Sequence, residues 1–256
     1  MKVVILAGGL GTRLREETEY RPKPMVQIGN RPILWHIMKI YSHHGHNDFV
    51  ICLGYKGGLI RDYFLNYETQ NRDFTVTLGA GKVEVLGNHT EDGWRVTLAE
   101  TGEVTMTGGR LKRIEKYAGP STFMATYGDG VADIDIESLL GFHRRQGKLA
   151  TVTAVRPSSR YGELAIDNGR VTLFREKPQV NEGWINGGFF VFEPQVFDLI
   201  HDDNDSLETG LLSQLVESGQ LAVYQHDGFW QCMDTYREMQ QLGEMWGANR
   251  APWRSW

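Results

Sequence analysis

Short apolar runs alternate with amphipathic stretches from the first residues of the chain. Val3-Val4-Ile5-Leu6 is an unbroken branched run that stops before Gly8-Gly9, which predicts a strand buried on both faces and ending in a tight loop. Residues Pro32 to Tyr41 are apolar at helical spacing behind a proline suited to a first turn, and Gly45 is placed to close that helix. Asp48 to Gly54 (DFVICLG) is a second apolar run, followed by a helical stretch over about 58–67. The order strand, helix, strand, helix predicts a parallel sheet covered on both faces.

From Phe74 to Glu100 the period changes to two. FTVTL, KVEVL and WRVTLAE alternate between turn residues, predicting a small antiparallel excursion inserted at about 68–104, a lid or a partner surface. Helical spacing returns in Thr105 to Tyr117. Beyond it the pattern predicts a strand over Phe123 to Tyr127, a helix over Ile136 to Gln146 and a strand over Ala150 to Val155. A hairpin of 164–166 with 171–174 turns at Asn168-Gly169, and a strand follows over Trp184 to Phe192. Helices near 195–200 and 206–218, a strand over Leu221 to Gln225 and a last helix over about 236–249 complete the pattern. The tail Pro252-Trp253-Arg254-Ser255-Trp256 is too aromatic to lie in water and is expected to pack on the domain or on a neighbouring subunit.

Composition narrows the function classes. The 256 residues suit one large α/β domain spanning 1–256, and no apolar run approaches the roughly 18 residues that cross a bilayer. The apolar start is too short for a signal-peptide core, so a cytoplasmic location is expected. A net charge of −5 without a basic run predicts neither a nucleic-acid track nor a membrane surface. Cys52 and Cys232 offer no disulfide framework or metal spacing and are expected as core thiols.

Candidate chemistry starts at the first loop, Ala7-Gly8-Gly9-Leu10-Gly11-Thr12-Arg13. Glycines there let backbone N–H groups approach a phosphate, with the Arg13 guanidinium to share its charge. A dinucleotide fingerprint would need glycine where Leu14 stands, and no Gly-Lys-Ser/Thr triplet exists for a Walker loop. Lys23, between Pro22 and Pro24, is a cation whose presentation is restricted on both sides.

Five later stretches carry candidates. Thr105-Met106-Thr107-Gly108-Gly109-Arg110 precedes a basic helix, so it suits either a helix start that meets a ligand or an ordinary cap. Asp129, in Tyr127-Gly128-Asp129-Gly130, could serve a turn, but strand carboxyl ends are where an α/β sheet binds ligands, which favours a magnesium ligand. Glu176-Lys177-Pro178 offers an acceptor for sugar hydroxyls beside a phosphate-binding cation, or simply a charged strand end, and Asn186-Gly187 an amide at a glycine-opened strand. Asp234 precedes the last helix, where local sequence favours a cap over a ligand, though one carboxylate can serve both.

Taken in order, G-G-L-G-T-R, P-K-P-M, Y-G-D-G, E-K-P, N-G-G-F-F and F-W-x-x-M-D-T resemble the signature of the sugar nucleotidyltransferases over nearly the whole chain. T-M-T-G-G-R-L-K-R, Y-G-D-G-V-A-D and the A-P-W-x-x-W tail are similar to the branch that uses CTP, with a departure between about Asn66 and Arg95. The resemblance implies a Rossmann-like, mostly parallel mixed sheet flanked by helices, and transfer of cytidylyl from CTP to glucose 1-phosphate. It further implies a homo-oligomer, a hexamer by the family's pattern, and a product destined for dideoxy sugars of bacterial surface polysaccharide.

Residue by residue, the resemblance implies that Leu6, Ala7, Gly8, Gly9, Leu10 and Gly11 hold base and phosphates, with Thr12 and Arg13 on the triphosphate and Arg13 at the leaving pyrophosphate. Lys23 would neutralise phosphate, Asp129 and Asp234 would bind Mg²⁺, and Thr105, Arg110 and Gly128 would meet the nucleotide. Lys177 would take the sugar phosphate, and Glu176, Asn186 and Gly187 the glucose. Base choice stays open, because cytosine and uracil differ at one exocyclic group that a backbone carbonyl can read, so a UTP or dTTP enzyme is the rival; a non-catalytic nucleotide-binding module is the other.

Overall fold

Consecutive apolar residues in the first strand serve two cores at once. β1 (Lys2–Leu6) turns Val3 and Ile5 to one face and Val4 and Leu6 to the other, and all four are buried. β2 (Asp48–Leu53) repeats the division, with Phe49, Ile51 and Leu53 on the first face and Val50 and Cys52 on the second. A strand covered on both sides needs no polar alternation, which is why these runs read as continuous. The computed structural model describes residues 1–87, 91, 93–157, 163–167, 170–175 and 183–256, with 163–167 and 170–175 as backbone alone.

Five further strands join the main sheet: β3 (Arg95–Glu100), β4 (Phe123–Tyr127), β5 (Ala150–Val155), β6 (Ile185–Phe192) and β7 (Leu221–His226). Among the described residues the order across this seven-stranded sheet is β7-β5-β6-β4-β1-β2-β3. β3, β2, β1 and β4 run parallel, β6 runs antiparallel to both β4 and β5, and β7 runs parallel to β5. The sequence order reverses between β1 and β4, so this sheet has its switch point where their carboxyl ends lie side by side. Gly128 N donates to Leu6 O there, at 3.1 Å.

Helices α1 (Ile33–His43), α2 (Gly57–Leu65), α3 (Thr107–Arg113), α4 (Ile136–Gln146) and α5 (Tyr236–Gly247) flank the sheet. α1, α2, α4 and α5 cover the first face through Ile37, Met38, Ile60, Leu139 and Leu242. Leu111 of α3, with Val196, Phe197, Leu207 and Leu211, covers the second. Among the described residues no helix is long and apolar enough to cross a membrane.

Some local expectations change. WRVTLAE was expected in the antiparallel excursion, yet β3 pairs parallel with β2 from Asp48↔Arg95 to Leu53↔Glu100 as the edge of the main sheet. An edge strand and a hairpin strand share one open face, so period two cannot tell them apart. The excursion itself is Phe74–Thr77 paired antiparallel with Lys82–Val85, with Phe74, Val76 and Val83 exposed. The expected helix at 206–218 is a π-helical turn, Leu207–Leu212, followed by a short α-helix, Ser213–Glu217, and that at 195–200 is a 3₁₀ helix, Pro194–Leu199. The cap of α5 is Thr235 and not Asp234: Thr235 Oγ1 accepts from Glu238 N at 3.3 Å, while Glu238 Oε2 accepts from Thr235 N at 2.8 Å.

The aromatic tail closes the first core. Trp253 is 0% exposed, stacks on Phe229 at 5.6 Å and donates its indole N–H to His36 Nδ1 at 3.3 Å. With Nδ1 accepting, His36 is the tautomer that donates from Nε2, and Ile28 O receives that bond at 3.1 Å. Burial, which penalises the charged ring, lowers the His36 pKa to about 4. The depressed value means that the unfolded chain takes up the extra proton between the ordinary 6.5 and about 4. His36 therefore contributes full stability above about pH 6.5, lost as pH falls toward 4. Urea unfolding across this window is expected to show a loss for the wild type, up to about 3 kcal/mol, that His36→Gln does not show; parallel curves for the two proteins would refute the assignment.

Candidate active site

The loop after β1 is fixed by its backbone partners. Ala7 N donates to Cys52 O at 3.1 Å, and Gly8 O accepts from Tyr55 N at 3.2 Å, so the chain follows β2 for two residues before it turns away. A Cβ at Gly8 would lie 2.1 Å from the Arg110 guanidinium, so only glycine lets that side chain pass. Gly11 has φ +63°, and its carbonyl accepts from the Thr18 hydroxyl at 3.0 Å. Glycine is required there by conformation, and the threonine holds the turn shut.

Beyond the turn is a cavity of about 400 Å³. Leu6 to Gly9 and Gly11 to Arg13 line one side, Thr105, Met106, Thr107 and Arg110 another, and Lys23, Tyr127, Gly128, Asp129 and Asp234 the remainder. Leu10, also expected on the nucleotide, is 54% exposed and is not part of this wall.

Four charges converge at one side of the cavity. Lys23, 9% exposed in the 3₁₀ turn Lys23–Met25, donates to Asp129 Oδ2 at 2.6 Å and directly to Asp234 Oδ1. Arg13 Nη1 donates to Asp234 Oδ2 at 3.0 Å. Burial would lower the Lys23 pKa, but Asp129 and then Asp234 outweigh it and raise it, so the ammonium stays charged. For Asp234, burial works against the charge and Lys23 and Arg13 more than reverse it, holding the carboxyl below its ordinary range. The two aspartates meet because strand Gly130–Ala132 pairs antiparallel with Trp230–Cys232, and Met233 N donates to Asp129 O at 2.8 Å. Cys232, expected in the core, is half-buried with Sγ 3.8 Å from Asp234 Oδ2.

Arg110 is held by carbonyls. Its Nη1 donates to Leu53 O at 3.0 Å, Thr101 Oγ1 at 2.9 Å and Gly102 O at 2.6 Å, and its Nη2 to Gly8 O at 3.0 Å and Glu103 O at 3.2 Å. Burial lowers its pKa, though not enough to cost a guanidinium its charge. Thr105 is buried beside it on the cavity wall.

Of the residues expected at the sugar, Asn186 donates from Nδ2 to Tyr127 OH at 3.2 Å, and Gly187 O accepts from Trp230 Nε1 at 2.8 Å. Glu176 and Lys177 lie outside the described residues. The wall also holds Met106, Thr107 and Tyr127, which were quoted within motifs but given no role. Met106 and Tyr127 adjoin Thr105 and Gly128 in sequence, and Thr107 lies between Thr105 and Arg110.

The family model of nucleotidyl transferases matches residues 2–239. A glucose-1-phosphate cytidylyltransferase of Salmonella typhi is 51% identical, with 100% of each chain covered, and a probable glucose-1-phosphate cytidylyltransferase of Bacillus subtilis is 44% identical with the same coverage. Among solved structures, HddC from Yersinia pseudotuberculosis superimposes with a TM-score of 0.70 at 24% identity, over 96% of this chain and 99% of that one, which is a likeness of fold.

The Arg110 contacts carry a stability test. Arg110→Lys replaces a fork of donors by one ammonium and gives up most of the charge-assisted bonds to these carbonyls, so it is expected to cost about 1.5–3 kcal/mol in chemical denaturation. A cost below about 0.5 kcal/mol, the range of an ordinary surface change, would show that the guanidinium holds nothing together.

Proposed function

Because the chain belongs to the nucleotidyl transferase family, we propose that it transfers the cytidylyl group of CTP to α-D-glucose 1-phosphate, giving CDP-glucose and pyrophosphate. The observation that carries this reading is the 51% identity to a relative of that name over the full length of both chains. The charged cavity beside the glycine loop supports it.

In the reaction a phosphate oxygen of the sugar attacks the α-phosphorus of CTP, a new P–O bond forms, the bond to the β-phosphate bridging oxygen breaks, and pyrophosphate leaves with the electron pair. No protein nucleophile is needed. The chain has to bring two polyanions together, align them and offset their charge. Backbone N–H groups of Gly8, Gly9 and Gly11, with Thr12 and Arg13, would receive the triphosphate, and Arg13 and Lys23 would offset charge on it and on departing pyrophosphate. Thr105, Arg110 and Gly128 would shape the nucleotide end, while Asn186, Gly187, Glu176 and Lys177 would receive the sugar phosphate.

The donor set at the cavity suits magnesium. Asp129 Oδ2 and Asp234 Oδ1 both meet the Lys23 ammonium, so two hard oxygens converge on one cation, as a magnesium ion shared with phosphate oxygens and waters would require. Asp129 and Asp234 would hold the ion, and when bound it supplies Lewis-acid neutralisation of phosphate charge. We further propose a cytoplasmic homo-oligomer that uses the exposed Phe74–Thr77 and Lys82–Val85 hairpin as an interface, and a product that feeds deoxysugar synthesis for surface polysaccharide.

Pyrophosphate release with glucose 1-phosphate and Mg²⁺, offering CTP, UTP, dTTP and ATP separately, is expected to favour CTP strongly; preference for another nucleotide would overturn the base assignment, and binding without release would make this a regulatory module. Asp129→Asn and Asp234→Asn are each expected to lower kcat about a hundredfold or more, and chelation should abolish turnover until Mg²⁺ is restored. Sedimentation should detect an oligomer that Val76→Asp with Val83→Asp dissociates, and a monodisperse wild-type monomer would refute the interface.

A further inference from the structure

The carboxylate of Glu208 lies behind the cavity wall and gathers three hydroxyls. Its Oε1 accepts from Tyr127 at 2.6 Å, and its Oε2 accepts from Thr107 at 2.8 Å and from Ser206 at 2.7 Å. Tyr127 and Thr107 both line the cavity, from the end of β4 and the start of α3, whereas Glu208 is not among its lining residues. The residue stands in the π-helical turn Leu207–Leu212, an irregular turn that recurs near functional sites.

Donor direction decides what this carboxylate controls. With its proton committed to Glu208, the Tyr127 oxygen can only accept, so Asn186 must present Nδ2 to it, at 3.2 Å. That turns Asn186 Oδ1 toward Gly188 N, which donates to it at 2.9 Å. The amide is thereby locked in one of its two orientations. Packing fixes the ring that transmits the lock: Tyr127 meets Phe190 edge-on at 5.7 Å, and a Cβ at Gly188 would lie 2.5 Å from the ring. Burial works against the charge on Glu208, yet the Tyr127 and Ser206 hydroxyls hold its pKa below the ordinary carboxylate range, so it remains an acceptor. Thr107 is less dependent on it, because its oxygen also accepts from Leu207 N at 2.9 Å.

We propose that Glu208 is a positioning residue that, through the Tyr127 hydroxyl, fixes the Asn186 amide and so sets the pose and identity of the sugar phosphate while leaving the nucleotide end nearly untouched. The inference rests on the proposed transfer to a sugar 1-phosphate. Without the carboxylate, the Tyr127 proton has no fixed acceptor and its oxygen no longer holds Nδ2, so the Asn186 amide is kept by Gly188 N alone and is free to swing from the pose in which it would meet the hexose.

The test is steady-state pyrophosphate release by wild type, Glu208→Ala, Glu208→Gln, Tyr127→Phe and the Tyr127→Phe/Glu208→Ala double variant, with thermal melting alongside. Glu208→Ala is expected to raise KM for glucose 1-phosphate about tenfold, the loss of one strong hydrogen bond, with KM for CTP within about twofold. It should also narrow the preference for glucose 1-phosphate over its galactose and mannose epimers. Glu208→Gln keeps one carbonyl for Tyr127 and is expected to recover most of the loss, which covers the case of an Ala variant that does not fold. The double variant should be no worse than either single one, because both break the same link. An active wild type with variants whose KM for the sugar phosphate is unchanged, or whose two KM values rise together, overturns this inference alone; a wild type silent toward CTP and glucose 1-phosphate overturns the substrate reading and this inference with it.

Discussion

One guanidinium lies where three parallel strands give up their pairing. β1, β2 and β3 must diverge beyond their carboxyl ends if a cavity is to open there, and the carbonyls that follow then have fewer backbone donors to hold them. Arg110 reaches from α3 across the gap to Gly8 O, Leu53 O and Gly102 O, taking one acceptor at the end of each strand. Gly8 O and Leu53 O also accept from Tyr55 N and Thr101 N, so the guanidinium adds charge-assisted bonds that tie the strand ends to one another in a protein of ordinary marginal stability. A lysine could not span it, because a single ammonium has neither the width nor the fixed fork. Gly8 follows from the same constraint: the loop that suits phosphate is also the loop that lets the guanidinium through.

A second constraint operates at the cavity mouth, where Asp129 and Asp234 are brought together although like charges repel. Their approach is set by the backbone, through the pairing of Gly130–Ala132 with Trp230–Cys232, and is made tolerable by Lys23 between them and Arg13 beside Asp234. Pro22 and Pro24 restrict the turn that carries Lys23, so the ammonium is held where both carboxylates can use it. The arrangement is close to neutral as it stands, and in the proposed reaction its cations would turn to phosphates and its carboxylates to a metal.

Much of the architecture was legible because burial on both faces leaves a plain mark. Val3 to Leu6 and Phe49 to Leu53 are apolar without interruption, and strand and helix alternate in the order that a parallel sheet requires. β3 was misread because one open face gives alternation in an edge strand as readily as in a hairpin. Asp234 looked like a cap because aspartate is a good one, but Thr235 with Glu238 forms the capping box and frees Asp234 for Lys23. The positions in the loop, Lys23 and Asp129 followed from local chemistry. The role of Arg110 as a brace did not, since its acceptors come from segments of the chain that only folding brings together. Glu208 left no local mark at all: its partner Tyr127 is 81 residues away, and the bond between them depends on a π-helical turn that apolar spacing reads as a plain helix.

The two halves of the sheet divide the labour, and their junction is as small as the chemistry allows. The parallel half ends in the glycine loop, braced by Arg110 from α3 and open to the cavity. The other half begins with β6, antiparallel to its neighbours, whose first residues include Asn186 and Gly187. Trp230 links them, its indole N–H on Gly187 O and its strand paired with the one that follows Asp129. β6 thus touches the two aspartates by two backbone routes, its pairing with β4, which leads into Asp129, and the short strand that carries Trp230, while Tyr127 and Asn186 join the halves at the level of side chains. Two substrates that react in line need their sites held to fractions of an ångström. Backbone pairing is the stiffest means the chain has of meeting that tolerance, and in the proposed reaction the hydroxyl and amide on top of it would be what differs with the sugar.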